Sequence, residues 1–232
     1  MAKQDKLNVL IIGSGGREHA LGWKLRQSPR CGQLFFLPGN AGTAGIGQNV
    51  EMDIHRFDAK AVDNIAFFCR DHKVGLVVIG PEDPLAAGLA DKLAKWDLAV
   101  FGVSAEAAKL EADKAYAKKL MRSASIPTAE ARSFTDYEAA VKYAKAHETP
   151  VVVKATGLAR GKGAIVCDNL DEALDALKRI MVDREFGEAG DTVLIEERLV
   201  GQEVSILALV NGQNIFVLEP SQDHKQIGRA HV

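Results

Sequence analysis

Apolar runs alternate with helix-like stretches through the first hundred residues. The runs predict strands at 7–12, 33–37, 74–79 and 99–101, and the stretches between them predict helices at 17–27, 59–72 and 85–96. Strands that alternate with helices in this way are typical of a parallel sheet with helices on both faces. Residues 1–104 are therefore predicted to form a doubly wound α/β domain.

The pattern changes beyond residue 104. Apolar residues at helical spacing between Leu110 and Met121 predict a helix that stops before Pro127, because proline cannot continue it. Strands are then predicted at 151–154, 164–166, 193–199, 204–210 and 215–218, with a helix at 171–181. Asn211 and Gly212 supply the turn of a hairpin. Residues 105–226 are therefore predicted to form an α+β region with an antiparallel sheet.

Composition narrows the class of protein. The 232 residues are 47% hydrophobic and 26% charged, which is ordinary for a globular chain. Twenty-nine basic residues nearly balance thirty-one acidic ones, which argues against nucleic acid as a partner. Apolar runs fall far short of the ~20 residues of a membrane helix, and three scattered cysteines predict reduced thiols. We therefore expect a cytoplasmic protein, or one in an organelle whose targeting segment lies outside this sequence.

A glycine-rich loop follows the first predicted strand and opens the first helix. Its candidate anion-binding residues are Gly13, Gly15, Gly16 and Arg17, because free amides at a helix N-terminus attract phosphate. Glu18 occupies the last glycine position of the dinucleotide fingerprint GxGxxG, and the second strand lacks a terminal acidic residue. A nicotinamide-dependent oxidoreductase is therefore a weaker alternative.

Two further loops follow strands at the same edge of the predicted sheet. One spans residues 38–43 and contains Asn40, and the other spans 80–82 and ends at Glu82. Ligands of doubly wound sheets bind outside the carboxyl ends of the strands, so the three loops should meet at one crevice. Glu82 is suited to accept hydrogen bonds from sugar hydroxyls. A phosphate site beside such a carboxylate predicts a sugar phosphate ligand.

A second glycine-rich loop lies between two predicted strands, so it is not a Walker A loop. It contains three cations and three glycines, which are Lys154, Gly157, Arg160, Gly161, Lys162 and Gly163. Backbone amides freed by glycine can surround phosphate oxygens, which predicts a hairpin lid over a triphosphate. The acidic positions at and beyond the end of the next strand have two interpretations, a nucleotide contact or a solvated edge. These positions include Glu196, Glu197 and Glu203.

Five segments in this order resemble the glycinamide ribonucleotide synthetase family of the ATP-grasp superfamily. They are GSGGREHA at 13–20, PGNAGT at 38–43, GPE at 80–82, KATGLARGKG at 154–163 and SQDHK at 221–225. The resemblance extends from residue 7 to residue 225. It implies a purine-biosynthesis ligase in which ATP phosphorylates glycine and the amine of 5-phosphoribosylamine attacks the glycyl phosphate. Its implied partners are small molecules, namely glycine, 5-phosphoribosylamine, ATP and Mg²⁺.

The resemblance also implies a role for each matching residue. The phosphate of the sugar phosphate would be held by Gly13, Gly15, Gly16, Arg17 and Asn40, and its ribose by Glu82. The reacting centre would be faced by Asp223 and Lys225. For ATP, the phosphates would be contacted by Lys114 and Lys154 and covered by the loop residues Gly157, Gly161, Lys162 and Gly163. Adenine would be met by Glu196, Glu197 and Leu199, and the ATP ribose by Glu203. Arg160 departs from the small residue that the family usually has there.

The family pattern continues past Lys225 with a glycine-rich stretch, a Glu and Asn pair that binds magnesium, and a C-terminal domain. This sequence instead ends IGRAHV at 227–232, a string that a common sequencing adapter encodes. We therefore expect 227–232 to be a non-native tail, the metal ligands to lie beyond this chain, and the 232 residues alone to be inactive. Two alternatives stay open: another ATP-grasp carboxylate–amine ligase, or a non-catalytic nucleotide-binding module.

Overall fold

The computed structural model describes residues 6–54, 57–147, 150–159, 162–222, 226–227 and 230–231. The strands of the first part are β1 (Leu7–Gly13), β2 (Cys31–Pro38), β3 (Gln48–Asn49), β4 (Val74–Ile79) and β5 (Val100–Phe101). Its helices are α1 (Gly16–Arg26), α2 (Ala59–Asp71), α3 (Glu82–Ala86), α4 (Leu89–Ala94) and α5 (Ala105–Ala112).

The second part begins with α6 (Lys114–Ser123), and two further helices follow, α7 (Tyr137–Ala146) and α8 (Leu170–Leu177). Its strands are β6 (Ala131–Phe134), β7 (Val151–Ala155), β8 (Ala164–Cys167), β9 (Val193–Glu197), β10 (Ala208–Asn211), β11 (Asn214–Val217), β12 (Gln226–Ile227) and β13 (Ala230–His231). The last four strands pair as two antiparallel hairpins, β10 with β11 and β12 with β13.

The first sheet is parallel, with strand order β3-β2-β1-β4-β5. Side chains alternate between its faces, as a strand requires. Leu10 and Ile12 belong to a core formed with α2 and α4, whereas Val9 and Ile11 belong to a core formed with Leu21 of α1. Helices thus cover both faces, and the predicted doubly wound architecture is confirmed.

The second sheet is antiparallel, with order β6-β9-β7-β8, which confirms the predicted α+β region. Val151, Val153 and Ala155 of β7 point into the core that α7 and α8 form on one face. Successive strand residues face opposite sides, so Lys154 lies on the other face. The register of the two strands pairs Val152 of β7 with Glu196 of β9. Lys154 is two residues after Val152, so it lies on the same face of the sheet as Glu196.

Two predicted helices are divided in the structure. The stretch predicted as one helix at 85–96 is broken at Gly88, whose left-handed φ of +74° ends the path of α3 before α4 begins. The helix predicted through Leu110 and Met121 is broken at Asp113, which has an extended backbone. The carboxylate of Asp113 accepts the N–H groups that open α6. Hydrophobic periodicity continues across both breaks and therefore does not reveal them.

Four strands, β3, β6, β12 and β13, and the helix α7 were missed, and two strands were predicted too long. The two-residue β3 and the polar β6 have little apolar alternation and exist through pairing with β2 and β9. The strand predicted at 193–199 ends at Glu197. The strand predicted at 204–210 begins only at Ala208, although Ser205 forms an isolated bridge with Ser221.

Cys31, Cys69 and Cys167 are free thiols, as predicted, and the last two are buried. Burial raises the pKa of Cys69 to about 11. Among the residues described above, no helix is long and apolar enough to cross a bilayer.

Candidate functional site

The three loops at the carboxyl edge of the parallel sheet contact one another. The amide of Gly39 donates to the carbonyl of Gly13 at 3.2 Å, and the amide of Gly80 donates to the carbonyl of Ile12 at 3.1 Å. The Arg17 guanidinium donates to the carbonyl of Gly80 at 2.9 Å. The loops after β1, β2 and β4 therefore meet as the sequence predicted.

Asn40 joins the second of these loops to the first. Its Nδ2 donates to the carbonyl of Ser14 at 2.8 Å. Its Oδ1 accepts the N–H groups of Gly42 at 2.7 Å and Thr43 at 3.0 Å. Both polar atoms of the side chain are thus engaged in loop contacts.

Thr43 and Asn49 complete this bracing and were missed in the sequence. Thr43 is fully buried, and its hydroxyl contacts Asn49 Oδ1 at 2.7 Å while accepting the N–H of Asn40 at 2.7 Å. Asn49 Nδ2 donates to the carbonyl of Asn40 at 2.8 Å. The available signal was the Asn-x-Gly-Thr spacing, in which Asn and Thr side chains commonly close a turn.

Glu18 explains the glycine at position 13, which the sequence assigned to a phosphate, and the glycine at position 80 in the loop after β4. Its side chain is buried and accepts the N–H of Gly15 at 2.7 Å. A Cβ at Gly13 would lie 2.6 Å from Glu18 Cγ, and a Cβ at Gly80 would collide with Glu18 Oε1. By contrast, a Cβ at Gly16 would have no atom within 4 Å. Protein packing accounts for the absent side chains of Gly13 and Gly80, but not for that of Gly16.

Arg17 and Glu82 form an exposed ion pair between the start of α1 and the start of α3. Arg17 Nη1 is 3.4 Å from Glu82 Oε2, and both side chains are more than a third exposed. Glu82 is the first residue of α3, where the helix dipole favours a carboxylate. Water screens such a pair, so both side chains keep access to a ligand.

The second glycine-rich loop connects β7 to β8, which pair as the predicted hairpin. Lys154, at the end of β7, is not an unpaired ammonium: its Nζ lies 2.6 Å from Glu196 Oε2. The other oxygen of Glu196 lies 3.5 Å from Lys118 Nζ. Glu196 is buried, so the interpretation of this residue as part of a solvated edge is wrong.

Lys114 extends this group toward the glycine-rich loop. Its backbone N–H donates to the carbonyl of Thr156 at 2.9 Å, and its Nζ donates to the carbonyl of Gly157 at 2.9 Å. Partial burial lowers the pKa of Lys114, and the charge of Lys154 acts in the same direction, while Glu196 opposes them. Glu111 and Asp113 also oppose the lowering. Lys118 and Lys154 contact Glu196, and Lys114 lies close enough to feel its charge, so the three lysines form a cluster around Glu196.

The glycines of this loop have packing roles as well. A Cβ at Gly157 would lie 2.7 Å from Ala189 Cα, and one at Gly163 would lie 2.6 Å from Ala159 Cβ. Lys162 is exposed on the loop. Arg160 and Gly161 lie outside the described residues.

The remaining predicted residues are less closely grouped. Glu197 is exposed, with one oxygen 3.3 Å from the N–H of Glu130, and Leu199 is 66% exposed beyond the end of β9. Glu203 is also exposed. Asp223 and Lys225 lie outside the described residues.

Lys118 was not singled out in the sequence, although its position supplies a signal. It lies four residues after Lys114 on α6, and residues at this spacing share one face of a helix. Within the described part of the chain, no group of three or more His, Cys, Asp or Glu side chains is placed to hold a metal ion.

The doubly wound domain, the antiparallel sheet and the lysine cluster beside a glycine-rich hairpin define an ATP-grasp protein. Comparison with known families specifies it further. The phosphoribosylglycinamide synthetase N domain matches residues 7–111, and the ATP-grasp (A) domain of the same synthetase matches residues 112–231. The chain belongs to the phosphoribosylglycinamide synthetase family.

Curated relatives and a solved structure agree with this assignment. The chain is 49% identical over 227 residues to a phosphoribosylamine–glycine ligase of Rhodopirellula baltica, covering 95% of this chain and 51% of the relative. It is 49% identical over 222 residues to the trifunctional purine biosynthetic protein adenosine-3 of Gallus gallus, covering 94% and 22%. The crystal structure of the Thermotoga maritima phosphoribosylamine–glycine ligase aligns with a TM-score of 0.75 at 30% identity, covering 95% and 51%. The chain thus spans about half the length of the single-function relatives.

Proposed function

We propose that this chain is the sugar phosphate- and ATP-binding half of a cytoplasmic ligase that joins glycine to 5-phosphoribosylamine through a glycyl phosphate. The observation that carries the proposal is the cluster of Lys114, Lys118 and Lys154 around the buried Glu196. The ammonium groups of Lys114 and Lys154 border the glycine-rich loop, and such cations attract a polyanion that the loop is suited to cover. The similarity to phosphoribosylamine–glycine ligases supports the choice of substrates.

The first site receives the phosphoribosyl group in this proposal. The amides of Gly13, Gly15 and Gly16 and the Arg17 guanidinium bind its phosphate, and Glu82 accepts its ribose hydroxyls. The Gly15 amide already donates a hydrogen bond to Glu18, so the amides nearer to Gly16 contribute most of the phosphate binding. Asn40 acts by holding the loop of β2 against the loop of β1.

The second site receives ATP. In the proposal Lys114, Lys154 and Lys162 neutralise its phosphates, and the loop with Gly157, Gly161 and Gly163 closes over them. The backbone of Glu196, Glu197 and Leu199 meets adenine, and Glu203 accepts the ribose. Asp223 and Lys225 face the reacting centre. A closed loop would keep water from an acyl phosphate and align the attacking amine with it. None of these roles involves Mg²⁺, whose ligands we place elsewhere in the whole protein.

The two sites can be tested independently on this chain by calorimetry. Ribose 5-phosphate serves as a stable probe of the first site, and ATP of the second. Gly16→Ala should abolish binding of ribose 5-phosphate and leave ATP binding unchanged, because its new methyl group meets only ligand. Lys154→Met should have the opposite effect. If both variants bind both probes as the wild type does, the proposed sites are wrong.

The activity requires the whole protein that contains this chain. Release of ADP should depend on both glycine and phosphoribosylamine. Release that depends on a different carboxylate or amine would favour another ATP-grasp ligase. ATP binding without any turnover would favour a non-catalytic nucleotide-binding module.

A further inference from the structure

Lys118 is a lysine whose ammonium group faces partners inside the protein. Its Nζ donates to Thr128 Oγ1 at 2.7 Å and to the carbonyl of Ala129 at 2.8 Å, and lies 3.5 Å from Glu196 Oε1 in an ion pair. Two of the three N–H donors of the ammonium group are thus used in hydrogen bonds. Its side chain is only 12% exposed, so Lys118 has little capacity left for a ligand.

Lys154 is in the opposite situation. Its Nζ donates to Glu196 Oε2 at 2.6 Å, which uses one of its three N–H groups. Its side chain is 28% exposed. The ammonium of Lys154 therefore has donors available at the surface where the nucleotide phosphates are proposed to bind.

Glu196 links the two lysines. Each of its oxygens faces a different ammonium, and its side chain is 5% exposed. A carboxylate held at both oxygens has one orientation, so the position of Lys154 Nζ depends on where Lys118 holds the far side of Glu196. Thr128 and Ala129 fix Lys118 in turn from the segment before β6.

We propose that Lys118 is a positioning residue of the nucleotide site, which aims Lys154 at the phosphates through Glu196 without touching the nucleotide. The proposal rests on the ATP-binding role proposed above for this cluster. A salt bridge that only anchors α6 to the sheet would stabilise the fold but would leave nucleotide affinity unchanged. Nucleotide affinity and the state of the Lys154 ammonium therefore separate the two roles.

The test compares ATP binding by the wild-type chain with Lys118→Met and with Lys119→Met as the matched control. Lys119 is the next residue of α6, is exposed and carries the same charge. Lys118→Met should weaken ATP binding about tenfold, the effect of one impaired hydrogen bond to a charged group. Lys119→Met should leave it near the wild-type value. Circular dichroism checks that each variant is folded.

Thr128→Val provides a variant that changes no charge. It removes one acceptor of Lys118 while keeping the side-chain shape, and it should weaken ATP binding in the same direction by a smaller factor. It also keeps the proposal testable if Lys118→Met does not fold. In the nitrogen-15 spectrum of lysine ammonium groups, the Lys154 signal, assigned with Lys154→Met, should move in both variants before any nucleotide is added.

A double-mutant cycle with Glu196→Gln tests the route of the effect. In the Glu196→Gln background, the Lys118→Met change should cause no further loss of affinity. The inference would be overturned if the losses of ATP affinity in the double mutant were additive. It would also be overturned if the folded Lys118→Met and Thr128→Val variants bound ATP as tightly as the wild type does. Failure of the wild-type chain itself to bind ATP would instead overturn the proposed nucleotide site, on which the inference rests.

Discussion

Replacing Glu196 with glutamine removes the negative charge that Lys118 and Lys154 share. The change keeps the size of the side chain and an oxygen that can accept a hydrogen bond. It leaves Lys118 and Lys154 without their shared counter-charge on the same face of the second sheet. We expect the second part of the chain to lose stability because two ammonium groups then repel each other in a partly dry environment.

The size of the effect follows from the distances. With an effective dielectric constant of about 20, attraction between unit charges is about 6 kcal/mol for the 2.6 Å contact with Lys154 and about 5 kcal/mol for the 3.5 Å contact with Lys118. Desolvation of the three groups offsets much of this attraction. Removing one partner of a buried pair costs ~3–5 kcal/mol. Because Lys154 is partly exposed, we expect Glu196→Gln to lower the free energy of unfolding by an amount near the lower end of this range, about 3 kcal/mol.

Urea unfolding can measure this loss in the relevant part of the chain. All three tyrosines, Tyr116, Tyr137 and Tyr143, lie in the second part, and both tryptophans, Trp23 and Trp96, lie in the first. Near-ultraviolet circular dichroism of tyrosine should report the destabilisation. Tryptophan fluorescence should report an unchanged first part, so that each variant contains its own internal reference.

A matched control comes from an exposed pair in the same part of the chain. Glu185 accepts two hydrogen bonds from Arg179, at 2.8 and 3.1 Å, on the surface. Glu185→Gln makes the same chemical change in water and should not measurably shift the unfolding midpoint. If Glu196→Gln also unfolds within about 1 kcal/mol of the wild type, the cluster behaves as a solvated surface pair and the reasoning is refuted.

Two further predictions follow from the titration of buried groups. Burial lowers the pKa of Lys114 below its usual 10.5, so between the lowered value and 10.5 the free site is partly deprotonated. A bound triphosphate favours the ammonium, so ATP binding in that range should take up protons. The number of protons is the slope of the binding heat against the ionisation enthalpy of the buffer, measured by calorimetry. Equal proton uptake by wild type and Lys114→Met would contradict this. At about pH 8, iodoacetamide should alkylate the partly exposed Cys31 before the buried Cys69 and Cys167. Peptide mass mapping measures the alkylation rate of each thiol. Equal rates in the folded chain would show that burial does not protect Cys69 and Cys167.

Local patterns in the sequence were sufficient for the architecture. The apolar run of β1 and its alternation with helices predicted the parallel sheet, because period and burial are properties of neighbouring residues. The loops containing Gly13, Asn40 and Gly80 were predicted to meet, because parallel strands end at one edge. The glycine-rich hairpin between β7 and β8 was predicted for similar reasons.

What these residues contact was decided by the tertiary structure. In the sequence, Glu18 was a departure from a fingerprint and Glu196 an acidic residue at the end of a strand. The fold buries both, the first among glycines of two loops and the second between lysines from α6 and β7. The reason is physical: a carboxylate stays buried only where compensating partners surround it. Glu18 has such a partner nearby, in the N–H of Gly15, whereas the partners of Glu196 come from distant parts of the chain. Lys118 was missed for the same reason, since only the packing of α6 beside β9 makes a helix lysine a neighbour of Glu196.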